Sequence, residues 1–230
     1  MTAIPNVVEV AALIGDASRA AILLSLLDGR MLPAGELARL ARISPQTASS
    51  HLSKLVKGGL LGVETHGRHR YYRLSGTQIA QVLEGLATIA PPVQVRSLRQ
   101  ADQSKALCFA RTCYDHLAGA VGVKVTEALV ERQMLLPGER EFSVSQAGIE
   151  WFEALGIQVE PLKRSRRSFA RQCLDWSERR HHLAGALGAA YTNALLEKGW
   201  VKRMKNTRAV TVTQEGRDGL TDLLGIQWDS

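Results

Sequence analysis

Two short stretches carry the residue types best suited to chemistry. They are Arg111-Thr112-Cys113-Tyr114-Asp115-His116 and Arg171-Gln172-Cys173-Leu174-Asp175, the second followed closely by Trp176 and by His181-His182. Thiolate and imidazole are good ligands for zinc and other borderline metals, and a thiolate is also a redox-active nucleophile. On a helix, Cys113 and His116 at i, i+3 would share one face, with Asp115 off it. Asp175 reads more economically as a helix N-cap with Glu178 completing a capping box, and Asp115 as a similar cap. Three readings stay open: a repeated structural corner, a thiol or metal sensor, or the wall of an organic-ligand pocket.

A second set of residues could read nucleic acid. The run Ile43-Ser44-Pro45-Gln46-Thr47-Ala48-Ser49-Ser50-His51-Leu52 opens a helix predicted over 45–57. Ser44 is a good N-cap, and Pro45 sits at N1, where its missing N–H costs nothing. Ala48, Leu52 and Leu55 form one apolar stripe at i, i+4 and i+7 that must be buried. Gln46, Ser50, Ser53, Lys54 and Lys57 occupy the opposite face, an amide, short donors and cations suited to base edges and phosphates in a major groove. Leu60 to Leu74 reads as a hairpin with Gly67 at its tip, carrying Arg68, His69, Arg70 and Arg73. The expected DNA contacts are Ser44, Gln46, Thr47, Ser49, Ser50, His51, Lys54, Arg68, His69 and Arg70. His51 lies beside the buried stripe, so packing should come first for it.

The elements around that run carry a closer likeness. Gly15-Asp16-Ala17-Ser18-Arg19-Ala20-Ala21-Ile22-Leu23, Gly35-Glu36-Leu37-Ala38, Gln46 to Leu52, and Gly67-Arg68 with Tyr71-Tyr72-Arg73-Leu74 follow one another as in ArsR/SmtB-type regulators. Residues 5–90 thus resemble a winged helix-turn-helix of that family. The resemblance implies a homodimeric repressor, with the first and closing helices at the dimer interface, released from a double-stranded DNA operator by a signal. The metal-sensing patterns of small family members are missing: the helix at 34–41 has no cysteine, and 77–90 has no His, Asp or Cys. No metal or cofactor is therefore expected at those positions, and any signal falls to the rest of the chain.

Charge and composition agree with a nucleic-acid partner. The 230 residues hold 29 Lys+Arg against 22 Asp+Glu. Within 42–73, Arg42, Lys54, Lys57, Arg68, Arg70 and Arg73 stand against Glu64 alone, as counterion release from a phosphate backbone would favour. The 45% hydrophobic content suffices for two cores. No run approaches the ~20 apolar residues of a membrane span, Met1 to Asn6 lacks signal-peptide character, and three cysteines suit a reducing cytosol. A cytoplasmic protein with no membrane partner is expected. Nucleotide loops, Gly-x-Ser-x-Gly elbows and His-Glu-x-x-His are all missing from the sequence, so an enzyme is not expected.

The elements that must position these residues read as a mainly α (α+β) chain in two domains. Residues 1–92 form the winged helix-turn-helix, with helices near 5–14, 17–28, 34–41, 45–57 and 77–90. Ile22, Leu23, Leu26 and Leu27 give the second helix a buried stripe, and Ile79, Val82, Leu83 and Leu86 do so for the last. Pro91-Pro92 stops that helix, and Arg96 to Lys105 reads as a linker. Residues 105–230 hold an internal repeat, about 105–160 and 161–230, each in the order helix, hairpin, helix. The hairpins fall at 135–144 and 200–212. Gly119, Gly122, Gly185 and Gly188 lie early in the repeats' first helices, where glycine costs about 1 kcal/mol against alanine. Close backbone approach or room for a ligand could offset that cost. The expected effector site is a cleft between Gly119 and Gly185, with Cys113, His116, Cys173, Trp176 and His182 near its wall. The overall expectation is a sequence-specific regulator answering an unknown small-molecule effector through 105–230. The alternatives are a thiol- or metal-responsive regulator using Cys113 and Cys173, or a sequence-blind architectural DNA binder.

Overall fold

The computed structural model describes residues 4–91, 94 and 97–228. Of the residues named above, Met1, Thr2, Ala3, Pro92 and Arg96 lie outside them. The chain divides into two compact units, Met1–Leu83 and Glu84–Ser230.

The first unit opens with α1 (Val7–Ile14), α2 (Ala17–Ser25), β1 (Leu32–Pro33), α3 (Ala34–Leu40) and α4 (Pro45–Lys57). A hairpin, β2 (Leu61–His66) and β3 (His69–Leu74), follows, then α5 (Thr77–Ile89), within which the unit boundary falls. Capping sets the starts: Asp16 accepts from the Arg19 amide at 2.9 Å, and Ser44 from the Thr47 amide at 3.1 Å. The strands form an antiparallel sheet in the order β1-β3-β2, with Leu32 opposite Tyr72 and Val63 opposite Tyr72 on the other side. Ile22, Leu23, Leu26, Leu27, Leu37, Ala48, Leu52 and Leu55 are fully buried. The stripe expected on the closing helix is only partly core. Leu83 is buried, whereas Val82 and Leu86 are exposed.

The second unit continues with α6 (Leu98–Phe109), β4 (Arg111–Cys113), β5 (His116–Ala118), α7 (Gly119–Glu131), β6 (Leu135–Pro137), β7 (Phe142–Val144) and α8 (Gln146–Ala154). After α9 (Val159–Lys163) come β8 (Gln172–Leu174), β9 (His181–Leu183), α10 (Gly185–Glu197), β10 (Val201–Arg203), β11 (Val210–Val212) and α11 (Gln214–Leu224). The expected linker is therefore a helix over most of its length. Ser97 caps α6 by accepting from the Gln100 amide, a polar start that composition alone reads as loop.

Each leading hairpin extends the later hairpin of the other half. The Thr112 amide donates to the Arg208 carbonyl and the Val210 amide to the Ala110 carbonyl. In the same way the Gln172 amide donates to Arg140 and the Phe142 amide to Ala170. One core unites the halves, with Val121, Val125, Leu129 and Phe152 meeting Leu187, Tyr191, Leu195 and Leu220. Among the described residues, no helix is long and apolar enough to cross a membrane.

Candidate DNA interface and candidate metal centre

On α4 the buried stripe is Ala48, Leu52 and Leu55, which turns Gln46, Thr47, Ser49, Ser50, Ser53 and Lys54 to the exterior. Ser44 is committed to the cap, and its hydroxyl also lies 2.8 Å from that of Thr47. His51 is half-buried, with Nδ1 3.5 Å from an Arg19 guanidinium nitrogen and 4.0 Å from Asp16, so it fixes α4 against the start of α2. Gly67 (φ 58) and Arg68 make the two-residue wing turn that glycine permits. Arg68, His69 and Arg70 are exposed there, while Arg73 pairs with Glu64 across the strands at 3.1 Å. The exposed surface of α4 and the wing is polar and cationic, the composition that phosphate positioning and groove reading need.

The second site lies between the leading hairpins of the second unit. Cys113 stands opposite His116 across β4 and β5, and Cys173 opposite His182 across β8 and β9. Directly opposed residues project from the same face of a sheet, so each hairpin offers one thiol and one imidazole together. The two sulfurs are 3.9 Å apart, and the two imidazole centroids 5.1 Å. One donor atom from each of the four side chains lies within 4.8 Å of all the others, and all four residues are buried. Cys113 and His116 thus meet by strand register, not by helical i, i+3 spacing. Tyr114 (φ 62) holds the left-handed turn between them, a conformation that costs a non-glycine residue energy.

Helices α7 and α10 brace these hairpins reciprocally. The Thr192 hydroxyl accepts from the Leu117 amide at 2.8 Å, and the Thr126 hydroxyl accepts from the Leu183 amide at 2.9 Å. Each hydroxyl donates to its own helix, to Gly188 and Gly122 respectively. A Cβ on Gly122 would lie 2.6 Å from the Leu117 carbonyl oxygen, and one on Gly188 would lie 2.5 Å from that of Leu183. Glycine is therefore what lets each helix approach its hairpin. Thr192→Val should leave a buried amide unpaired and cost about 1–3 kcal/mol, and Thr126→Val a similar amount. Urea unfolding of both variants checks the values, and a cost in only one would break the reciprocity.

Carboxylates and arginines surround the cluster. Asp115 Oδ1 lies 3.3 Å from His116 Nδ1, and Arg167 grips the same carboxylate with both guanidinium nitrogens. Burial works against ionising Asp115, but Arg167 and His116 hold its pKa at about 2. Asp175 Oδ2 lies 3.4 Å from His182 Nδ1 and accepts from Arg111 at 2.9 Å, with neither Asp175 nor Arg111 exposed at all. Burial would raise the Asp175 pKa, yet His182, Arg111 and Ser177 together keep it well below the usual carboxylate range. The expected capping box at Asp175 is absent because no helix follows. The carboxylate instead accepts from the Ser177 and Glu178 amides of a turn. A hydrogen bond from Cys113 is the main force lowering the Cys173 pKa, with help from both imidazoles, while that bond and burial push the Cys113 thiol up. His182 loses charge affinity to burial but regains more from Asp175 and Cys173, so its pKa is raised.

Comparison with known proteins supplies the class. A family model described as a helix-turn-helix domain matches residues 14–64, which contain α2 to α4 and the start of the hairpin. A relative from Bacillus subtilis (strain 168), described as the uncharacterized HTH-type transcriptional regulator YdfF, is 54% identical over 97% of this chain and 99% of its own length. The chain belongs to the helix-turn-helix-type transcriptional regulators. Among solved structures, the regulator is similar to reduced HlyU from Vibrio cholerae N16961, at 28% identity over 37% of this chain and 90% of that one, TM-score 0.34. It is also similar to the cadmium metal-sensor CMTR from Mycobacterium tuberculosis, at 29% identity over 39% and 93%, TM-score 0.33.

Of the effector residues expected from the regulator's sequence, Cys113, His116, Cys173 and His182 come together. Gly119 and Gly185 do not border open space. Both have φ near 80°, and a Cβ there would lie 2.7 Å from the Cys108 carbonyl oxygen or 2.6 Å from that of Phe169. Trp176 packs against Arg111, its ring centroid 4.2 Å from the guanidinium carbon. Sequence reasoning missed Thr126 and Thr192, and it gave Arg111 and Arg167 no part in this site. The threonines had a signal, Gly-Ala-Val-Gly followed by Thr126 and Gly-Ala-Leu-Gly followed by Thr192 at the same spacing.

Proposed function

We propose that this regulator, of the ArsR/SmtB type it resembles, is a homodimeric, sequence-specific repressor in the cytoplasm, without enzymatic activity. It would be released from its operator by a signal received in the C-terminal domain. The observation that carries the reading is α4, a capped helix with its apolar stripe buried and its amide, hydroxyl and lysine side chains exposed beside a cationic wing. We take 1–92 as the reading and dimerisation domain and 105–230 as a duplicated sensor, divided near 160. The dimer is supported by apolar side chains left exposed on the first and closing helices: Val7 and Val8 on α1, Val82, Leu86 and Ile89 on α5. The boundary between the two units falls within α5. Sensing would use Cys113, His116, Cys173 and His182, the members of the expected effector set that converge. The convergence of two thiols and two imidazoles favours a thiol- or metal-responsive form of that signal.

Duplex selection from random sequence, followed by competition at fixed salt, tests the reading. Half-sites should recur about one helical turn apart, roughly 34 Å. Gln46→Ala should relax preference at one or two base pairs by about 1–3 kcal/mol. Arg68→Ala should weaken all sequences alike and reduce the salt slope by about one unit. A preference under ~10³ over random DNA would instead mark an architectural binder.

A further inference from the structure

We propose that Cys113, His116, Cys173 and His182 form a closed, four-coordinate site for one divalent thiophilic metal ion of the zinc class, and that loading this site is the regulatory signal. The inference rests on the reading of the second unit as the sensor.

The spacing of the two sulfurs fits a tetrahedral ion. Two sulfurs each ~2.3 Å from a tetrahedral zinc stand about 3.8 Å apart, and Cys113 and Cys173 place theirs 3.9 Å apart. A disulfide needs about 2.05 Å and makes no use of the two imidazoles that converge on the same point. Those imidazoles carry the second observation. His116 Nε2 and both ring nitrogens of His182 are buried and have no hydrogen-bond partner among the described residues. Buried polar atoms are almost always paired, so orphaned imidazole nitrogens beside two thiols ask for a ligand. Asp115 and Asp175 each stand at the Nδ1 of one imidazole. This carboxylate–histidine arrangement orients metal-binding imidazoles and leaves Nε2 for the ion.

Charge decides the class of ion. Arg167 balances Asp115 and Arg111 balances Asp175, so the surroundings are close to neutral. A divalent ion bound by two thiolates and two neutral imidazoles is neutral as well, which a buried site tolerates. A monovalent ion would leave one negative charge uncompensated. Thiolate and imidazole donors disfavour magnesium and calcium, which prefer oxygen. Loading releases two protons per ion. They come from the two thiols. Two metal–sulfur and two metal–nitrogen bonds form, and no electron is transferred. With all four positions taken by protein, the site has no place for a reactive water, which suits sensing rather than hydrolysis.

The test uses the full chain, reduced and stripped with a chelator, titrated anaerobically with Co2+ and then Zn2+. Binding should saturate at one Co2+ per chain, with thiolate-to-cobalt charge transfer and tetrahedral d–d bands, and Zn2+ should bleach both. About two protons should appear per Zn2+ in weakly buffered solution. Cys113→Ser and Cys173→Ser should each remove about half of the charge-transfer intensity or abolish binding. Non-saturating Co2+ uptake overturns the site, as does a spectrum unchanged in both variants. So does ready formation of a Cys113–Cys173 disulfide with no cobalt bands in the reduced protein. The wild-type titration decides this even if a variant fails to fold. DNA binding by the stripped protein is scored separately, on duplexes selected with stripped and with Zn2+-loaded chain. A change of about 5- to 150-fold in operator affinity on Zn2+ loading is expected. Stoichiometric metal with unchanged DNA affinity overturns the regulatory half and leaves the site standing. Metal binding with no sequence-specific DNA binding in either state overturns the reading on which the inference rests.

Discussion

Asp175→Ala should destabilise the chain by about 3–5 kcal/mol, among the largest losses any single substitution here can produce. The carboxylate is wholly buried and holds several groups at once. It accepts from the Arg111 guanidinium at 2.9 Å, from the Gly119 amide at 2.7 Å, and from Ser177 through both hydroxyl and amide. Alanine would strand a buried guanidinium whose remaining partners are the Leu107 carbonyl, the Ser177 hydroxyl and the face of Trp176. Asp175→Asn should recover part of the loss, since the amide keeps one acceptor for Gly119 but not the charge facing Arg111. Arg111→Met combined with Asp175→Ala should cost less than the sum of the singles, because no charge is then left behind. Urea unfolding of the full chain measures all of these. A loss below ~1 kcal/mol for Asp175→Ala would show that Arg111 finds solvent or another acceptor, and the pair would not be the clamp described.

How much of this is legible in the sequence depends on the range of the determining contact. Local rules suffice for α4: a serine cap, proline at N1 and a three-residue apolar stripe specify its start, its end at Lys57 and its buried face. The wing is equally local, since Gly67 and the alternation of Tyr72 and Leu74 fix the turn and the inner face. The cluster is different. Cys113 and His116 are adjacent because of strand register, in a hairpin closed by a tyrosine in the left-handed region, which no turn rule favours. Cys173 and His182 are brought together across a loop with six additional residues, and the approach of the two hairpins is set by Thr126 and Thr192 on distant helices. The repeat is visible in sequence, but which of its faces meet is not, because the bonds that join the halves, Leu117 amide to Thr192 and Leu183 amide to Thr126, link residues 75 and 57 positions apart. Leu98–Phe109 was hidden for the opposite reason. It is a polar helix with no buried residue, so the apolar periodicity that reveals helices is missing.

The proposed dimer carries the largest expected effect on DNA binding. Helix α1 has no buried residue, and Val7 and Val8 are 70% and 79% exposed, while Ile89 on α5 is 80% exposed. Scattered exposed apolar residues need no explanation, but two helices that both leave valine, leucine or isoleucine uncovered do. A second copy would cover those faces and set two α4 helices at the spacing of two half-sites. Val8→Asp with Leu86→Asp should therefore give a monomer in sedimentation at micromolar concentration, with helix content intact, since neither side chain belongs to the core. Operator affinity should fall by about 10²–10⁴-fold, because the second half-site no longer binds at the effective concentration supplied by the first. Affinity for an isolated half-site should change little. Two contrary outcomes are informative: a double variant that stays dimeric places the interface elsewhere, and a wild-type monomer that still discriminates its operator removes the dimer from the mechanism. Separating half-site from full-site affinity is what makes the measurement decisive, because damage to α4 itself would lower both.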